Sequence, residues 1–423
     1  MKRTMFARTA TVTVTGAVLA ALGTAHAAAE APDGRAEPPG VRAALDRTVA
    51  AGAPGAFAVV RDHGATDRDE TVAVGKANLD GTPMNGGWRF RVGSNTKMFT
   101  SALVLRLADQ GRIDLDRPVR DHLPEGTLPE GWNMTTRQVL QHRSGVYDHT
   151  NALLEQPGEE TTSAFEKRIR NTVYEPADLV ALSVKRGPQS KPGTTYSYSN
   201  TNYVLLGMAI EQVTGRSYAQ ALREEITEPL GLTETSYVVP DKTIAGAHVT
   251  GYLTNDDRSK PLLDSTEQNG SWVGSAGAVI SSAADMDRFL TALLAGDSGK
   301  LVSDASVRQM TTTLPTPTAN VRYGLGLREI TLSCGKVYGH GGIVQGYQTQ
   351  SYSTRDGGRT VVVFANASNN GAVTQGVTNT LEPAFCGTKP APKALHRSLP
   401  ADRTAGPDTA RAPWVPAVED TRI

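Results

Sequence analysis

The sequence predicts an α/β protein whose sheet is assembled from both ends of the chain, with a mainly helical lobe inserted between them. Three observations predict it. Strand-like apolar stretches cluster within residues 55–92 and again within 321–366. Between them, residues 115–295 carry helical periodicity broken by long loops. The third is a helix pattern after Ser94 that is apolar on nearly every side, which marks a buried helix. At 423 residues the chain is long enough for two lobes sharing a cleft. The expected division assigns 41–114 and 310–387 to the α/β lobe and 115–309 to the helical lobe.

The first segment stands apart from the fold. Lys2, Arg3 and Arg8 precede the apolar run TVTVTGAVLAALGTA, which ends at Ala25-His26-Ala27. A positive start, a short apolar centre and small residues before a cut make a secretory signal, residues 1–27, cleaved after Ala27. The run is too short and too rich in threonine and alanine to span a bilayer well. The mature protein is therefore expected outside the cell, with no membrane anchor. Residues 28–40 read as a mobile leader, and 388–423, dominated by proline, arginine and alanine, as a disordered or removed tail.

Val41 to Ala51 reads as a helix, followed by strands at Gly55 to Arg61 and Glu70 to Ala77 and a third apolar piece at Trp88 to Val92. The buried helix then runs from GSNTK to a stop at Gly111. Helical segments follow at Thr136 to Gln141, Ala177 to Val184, Tyr203 to Thr214, Tyr218 to Ile226 and Ala283 to Leu294. Strand patterning returns in YGLGLREITL, GKVYGHGG, YQTQSYS and TVVVFAN, and a last helix covers Gly371 to Phe385.

Lysine plus arginine equals aspartate plus glutamate at 43 each, so no excess of cations exists to displace counterions from a nucleic acid. The two cysteines, Cys334 and Cys386, are expected to pair in an exported chain. The alternative, a catalytic thiol, needs a nearby histidine and an activating environment. His340 is close in sequence to Cys334, but a second cysteine left idle speaks against it.

Three short motifs carry chemistry. Ser94-Asn95-Thr96-Lys97 opens the buried helix, where side chains three apart share a face and free amides favour developing negative charge. A hydroxyl is a poor nucleophile until its proton is removed, and an amine kept from water can help remove it. The same spacing recurs at Ser333-Cys334-Gly335-Lys336, but at a strand entrance, where such residues face opposite sides. Tyr198-Ser199-Asn200 lies in a polar loop before an apolar helix; its tyrosine can accept a proton and its asparagine can hold a carbonyl or an amide. Tyr196 is a rival for the base. Taken alone, this second motif reads as an aromatic turn with an Asn cap. His340-Gly341-Gly342 offers a proton donor or a charge, on a strand whose glycines admit a substrate backbone. The other histidines beyond the signal, His63, His122, His142, His149, His248 and His396, keep a structural reading. No His-Glu-x-x-His, Gly-x-Ser-x-Gly elbow or phosphate loop is present, so neither metal nor cofactor is expected.

In order and spacing the three motifs resemble the penicillin-recognising serine enzymes. Within that group the chain is similar to the branch holding class C β-lactamases and secreted actinobacterial (Streptomyces-type) D-alanyl-D-alanine carboxypeptidases. The matching segments are RFRVGSNTK, RQVLQHRSGVYDHTN, YSYSNTNY, DSTEQNGSWVGSAGAVISS, YGLGL and LSCG with VYGH. They cover nearly the whole mature chain. The resemblance implies a β-lactamase/transpeptidase-like fold, an antiparallel sheet with flanking helices plus the inserted helical lobe. It implies Ser94 as acylated nucleophile, Lys97 as its proton partner, Tyr198 as general base and then acid, and His340 as an aid to the proton relay. Asn200 would hold the acyl amide, and the amides of Ser94 and Ile343 would form the oxyanion hole. Arg328 would face a terminal carboxylate, Trp272 and Gln345 would line the cleft, and Cys334 with Cys386 would form the family's disulfide.

One departure matters. Where the carboxypeptidases carry His-Thr-Gly-Thr, this chain has His340-Gly341-Gly342-Ile343, without the two hydroxyls that help bind the carboxylate of D-alanine. The resemblance thus implies a D-Ala-D-Ala carboxypeptidase acting on peptidoglycan stem peptides, with β-lactams as covalent ligands and the chain acting as a monomer. An esterase or D-aminopeptidase-like hydrolase acting on small esters or amides is the rival. A non-catalytic β-lactam or cell-wall binding module is disfavoured by the full set of reactive residues.

Overall fold

Strands from residues 55–75 and 314–365 meet side by side in one antiparallel sheet. The computed structural model describes residues 40–63, 68–154, 158–299 and 301–387. The expected signal, nearly all of the leader and the tail lie outside the described residues. In chain order the strands are β1 (Gly55–Asp62), β2 (Arg68–Gly75), β3 (Phe90–Arg91), β4 (Ser236–Tyr237), β5 (Tyr252–Leu253), β6 (Leu263–Asp264), β7 (Val279–Ser281), β8 (Leu314–Pro315), β9 (Val321–Tyr323), β10 (Arg328–Leu332), β11 (Gly335–Val344), β12 (Tyr347–Thr354), β13 (Arg359–Ala365) and β14 (Ala367–Ser368). The α-helices are α1 (Val41–Ala50), α2 (Thr96–Asp109), α3 (Thr136–Leu140), α4 (His149–Leu154), α5 (Thr161–Ala164), α6 (Pro176–Arg186), α7 (Asn200–Thr214), α8 (Tyr218–Leu222), α9 (Ala283–Leu294), α10 (Asp304–Met310), α11 (Gly371–Asn379) and α12 (Leu381–Cys386).

The main sheet has eight strands in the order β2-β1-β13-β12-β11-β10-β9-β8. β1 pairs with β13 in the register Ala56 to Ala365 and Phe57 to Phe364. Both faces are covered, so β1 and β13 read as unbroken apolar runs rather than alternating ones. Phe57, Val59, Val362 and Phe364 enter one core with Phe90 and Phe99. Ala56, Ala58, Val60, Val361 and Val363 enter the other, against Val41 and Leu45 of α1 and Val373 and Val377 of α11. On the first face Phe99 of α2 stacks on Phe289 of α9 with ring centroids 3.8 Å apart. α9, which the sequence groups with the helical segments, packs against β12 and β13.

Several boundaries differ from expectation for identifiable reasons. The stretch Trp88 to Val92 yields only two strand residues, and these pair with β7, outside the main sheet. α7 begins at Asn200 rather than Tyr203, because Ser199 is extended (φ −149°, ψ 120°) and turns the chain into the helix. The last helix breaks at Thr380 into α11 and α12; Pro383 in the first turn of α12 has no amide to extend the earlier helix. Cys334 and Cys386 form a disulfide that ties the β10–β11 turn to the end of α12. Among the described residues, no helix is long and apolar enough to cross a membrane.

Candidate active site

Ser94 lies on a 3-10 turn, Gly93–Asn95, that runs directly into α2. Two glycines let strand β11 pass against this turn. Gly93 has φ +53°, and a Cβ there would stand 2.8 Å from the backbone nitrogen of Ile343. The Ile343 main chain is thereby set beside the serine. Ser94 keeps 7% of its surface exposed, whereas Lys97 is wholly buried.

Lys97 Nζ donates to Ser94 Oγ at 3.1 Å, to Asn200 Oδ1 at 2.8 Å and to the Ala276 carbonyl at 2.9 Å. The carbonyl comes from the 3-10 turn Gly274–Ala276, which packs against both α2 and α7. Tyr198 O–H donates to Ser94 Oγ at 2.8 Å, and Lys97 Nζ lies 4.7 Å from the Tyr198 ring centroid. The hydroxyl thus stands within hydrogen-bond reach of both an amine and a phenol, the arrangement a nucleophile and its bases require. Tyr196, the rival base, stands edge-on to His142 and has no hydrogen bond to Ser94 in this arrangement.

His340 is fully buried, and its Nδ1 hydrogen bonds the Gly341 carbonyl, which can only accept. Its Nε2 therefore accepts from the Tyr323 hydroxyl, 3.0 Å away. Burial, with Arg328 and Lys97 nearby, pushes its pKa well below the usual imidazole value. The lowered pKa favours the neutral form of His340, which is bonded to Tyr323. Burial likewise raises Tyr323, which stays a phenol.

Arg328 is 1% exposed on β10, with its guanidinium carbon 5.8 Å from the Tyr198 ring centroid. Trp272 and Gln345 are buried, at 1% and 0% exposure. The Trp272 carbonyl accepts from His149 Nε2 at 2.8 Å, and the Gln345 carbonyl accepts from Gln268 at 2.6 Å. The second Ser-x-x-Lys is dispersed: Ser333 bonds Glu382, and Lys336 pairs with Glu329 at 2.6 Å.

Three residues at the site were not singled out from sequence. His142 holds a left-handed backbone (φ 54°), accepts the Ser199 amide at Nδ1 (3.1 Å) and accepts the Ser197 amide at its carbonyl (2.8 Å). Its ring centroid lies 4.2 Å from that of Tyr198, so it grips the Tyr198 segment from both sides of the residue. Burial first, then Lys97 and Arg328, keep it neutral. His149 links α7 to the Trp272 turn through Thr201 Oγ1 (2.9 Å) and the Trp272 carbonyl. Asp148 accepts from Asn200 Nδ2 at 2.9 Å. The available signal was faint: Asp148 precedes α4 as a capping residue does, and all three lie in HRSGVYDHT.

Comparison with known proteins places this geometry among relatives. A family model described as Beta-lactamase matches residues 41–382. A D-aminopeptidase of Cereibacter sphaeroides is 31% identical over 293 residues, 67% of this chain and 51% of the relative. The chain thus spans about half the length of that protein. The crystal structure of a D-stereospecific amidohydrolase from Streptomyces sp. is 37% identical, with a TM-score of 0.72 over 82% of this chain and 98% of that one. A D-amino acid amidase from Ochrobactrum anthropi SV3, complexed with D-phenylalanine, is 25% identical, with a TM-score of 0.70 over 81% and 96%.

Proposed function

The chain belongs to the beta-lactamase family, and on that premise we propose that it hydrolyses amides of D-amino acids through an acyl-enzyme on Ser94. The observation that carries the proposal is the Ser94 hydroxyl held between Lys97 Nζ at 3.1 Å and Tyr198 O–H at 2.8 Å. Asn200 Oδ1 and the Ala276 carbonyl can only accept, so Lys97 donates to both and keeps its remaining position for the serine. In the reactive form Lys97 is the free amine: its two N–H bonds stay on Asn200 Oδ1 and the Ala276 carbonyl, and its lone pair takes the Ser94 proton as Oγ attacks the carbonyl carbon. Backbone amides of Ser94 and Ile343 receive the charge that develops on the carbonyl oxygen. Tyr198 O–H gives its proton to the leaving amine and regains one from Lys97, the C–N bond breaks, and water then hydrolyses the ester through the same pair in reverse. His340 takes no proton in this scheme.

A neutral amide as preferred substrate is supported by the D-stereospecific amidohydrolase and D-amino acid amidase among the relatives. It is also supported by Gly341 and Ile343, which bring no hydroxyl to the strand beside Ser94. The D-Ala-D-Ala carboxypeptidase reading, on peptidoglycan stem peptides, keeps one observation in its favour: the buried Arg328 guanidinium beside Tyr198. Either reading includes acylation by β-lactams and export by the amino-terminal signal.

The test is a fluorescent penicillin applied to wild type and Ser94→Ala, followed by three substrates: D-phenylalanine amide, a peptide ending Lys-D-Ala-D-Ala, and a p-nitrophenyl ester. Labelling of wild type alone, with ammonia released from the D-amide, is the expected result. Equal labelling of both proteins would overturn Ser94 as nucleophile. Release of D-alanine without amide turnover would favour the carboxypeptidase.

A further inference from the structure

We infer that Asp148 is a positioning residue that sets which atom of Asn200 faces Lys97, and so aims the lysine at Ser94. The inference rests on the acyl-transfer role proposed for the Ser94–Lys97 pair. An asparagine side chain has one accepting end and one donating end, and turning it over exchanges them. Asn200 is 4% exposed and wedged between the Asp148 carboxylate and the Lys97 amine. Its Nδ2 donates to Asp148 Oδ2 at 2.9 Å and to Thr150 Oγ1 at 3.3 Å, and its Oδ1 accepts from Lys97 Nζ at 2.8 Å. A carboxylate can only accept, so Asp148 draws the NH2 end to itself and leaves the oxygen for the lysine.

The other carboxylate oxygen fixes Asp148 in turn. Oδ1 accepts from the Thr150 amide at 3.0 Å and from Thr150 Oγ1 at 2.9 Å, at the start of α4. Asp148 is 7% exposed, so little water competes for these bonds. Thr150 N–H orients Asp148, Asp148 orients Asn200, and Asn200 offers Lys97 an acceptor. Were Asn200 turned over, its NH2 group would oppose the donors of Lys97, and the amine would swing away from Ser94 Oγ.

The arrangement makes a specific demand on Asp148→Asn. The Thr150 amide can only donate, so it will hold the oxygen of the new side chain and turn its NH2 toward Asn200. Asn200 must then present its oxygen to that NH2 and its own NH2 to Lys97. Asp148→Asn changes almost no volume, yet it reverses the pattern. The double variant Asp148→Asn/Asn200→Asp restores an acceptor to both neighbours of residue 200.

Acylation of Ser94 is read as the single-turnover burst with p-nitrophenyl acetate, with Ser94→Ala as the blank. Asp148→Asn is expected to slow the burst about 100-fold, the scale of an ångström-sized misplacement of a reacting group. Asn200→Asp alone, which sets two carboxylates face to face, is expected to be slow as well. The double variant is expected to regain at least ten of the lost about 100-fold. A wild-type rate in Asp148→Asn, or a double variant no faster than it, would overturn the inference. The side-chain amide resonance of Asn200 in 15N-asparagine-labelled protein gives a readout that needs no substrate. It is expected to move in Asp148→Asn, and an unmoved resonance overturns the inference too. If wild type shows no burst above Ser94→Ala, the proposed hydrolase falls, while the resonance still decides the role of Asp148.

Discussion

Gly342 and Ser94 pass so close that a Cβ on Gly342 would stand 3.0 Å from the Ser94 amide nitrogen and 2.7 Å from Asn95 Nδ2. The Val92 carbonyl blocks the same space, and backbone cannot yield as a flexible side chain can. Gly342→Ala is therefore expected to push β11 off the serine turn and lower kcat/KM by about 100-fold or more. Its neighbour is the control. A Cβ on Gly341 would meet only the amide end of Gln350, at 2.8 Å, which can swing aside. Gly341→Ala should retain most activity; equal losses in the two variants would refute the account.

The phenol of Tyr198 offers a second test. Tyr198→Phe removes the O–H that reaches Ser94 at 2.8 Å and leaves the ring that Lys97 and Arg328 face. kcat should fall about 10²–10⁴-fold, the range for a lost general acid–base group, with KM changing less. Initial rates on D-phenylalanine amide measure both. A KM rise at constant kcat would make Tyr198 a binding residue instead.

Acid should unfold this protein through its buried imidazoles. Burial lowers His142, His149 and His340 from the ordinary value of 6.5. In the unfolded chain they titrate near that value, so below it the unfolded state binds more protons than the folded one. Their contribution to stability is complete above pH 6.5 and is lost as pH falls below it, by at most about 1.4 kcal/mol per pH unit for each imidazole. Urea unfolding at about pH 7.5 and about pH 5.5 checks the sign. A midpoint that does not drop at the lower pH contradicts it.

The disulfide should matter for stability and not for chemistry. It closes a segment of 52 residues, worth about 4 kcal/mol in the chain-entropy account. Cys334→Ser/Cys386→Ser should melt lower while its kcat/KM at 25 °C stays within about twofold. A large kinetic loss in protein that remains folded would mean that the bridge shapes β11.

Substrate choice is testable on the same strand. Gly341 lies opposite Gln350, whose Nε2 donates to Thr378 Oγ1 at 3.2 Å. Gly341→Thr with Ile343→Thr needs that amide moved, so the pair should raise D-alanine release more when combined with Gln350→Ala. Equal D-alanine release with and without Gln350→Ala would show that Gln350 does not control this space.

The parts of the site legible in sequence were those set by local spacing. Ser94 and Lys97 are three residues apart at a helix start, and their contact follows from helix geometry. The apolar surround of α2 was legible too, because a helix buried on all sides shows no polar face. Asp148 was not, since a carboxylate before a helix reads as a cap, and its second duty appears only when Asn200 arrives from 52 residues away. The charge of His340 was equally hidden. A histidine between glycines looks available, and only the fold buries it, with Arg328 and Lys97 nearby, and so lowers its pKa.

The pairing of β1 with β13 also governs when the enzyme can exist during its manufacture. Ala56 leaves the ribosome early, but its partner Ala365 is made only after most of the described residues. Until then β1 lacks one neighbour, the core that receives Phe57 and Phe364 is open, and α2 has no finished sheet to pack against. The serine turn cannot meet β11 before Val344 has been made. A fragment truncated before β13 should therefore contain Ser94, Lys97 and Tyr198 and still be inert, so the nascent chain carries no reactive nucleophile.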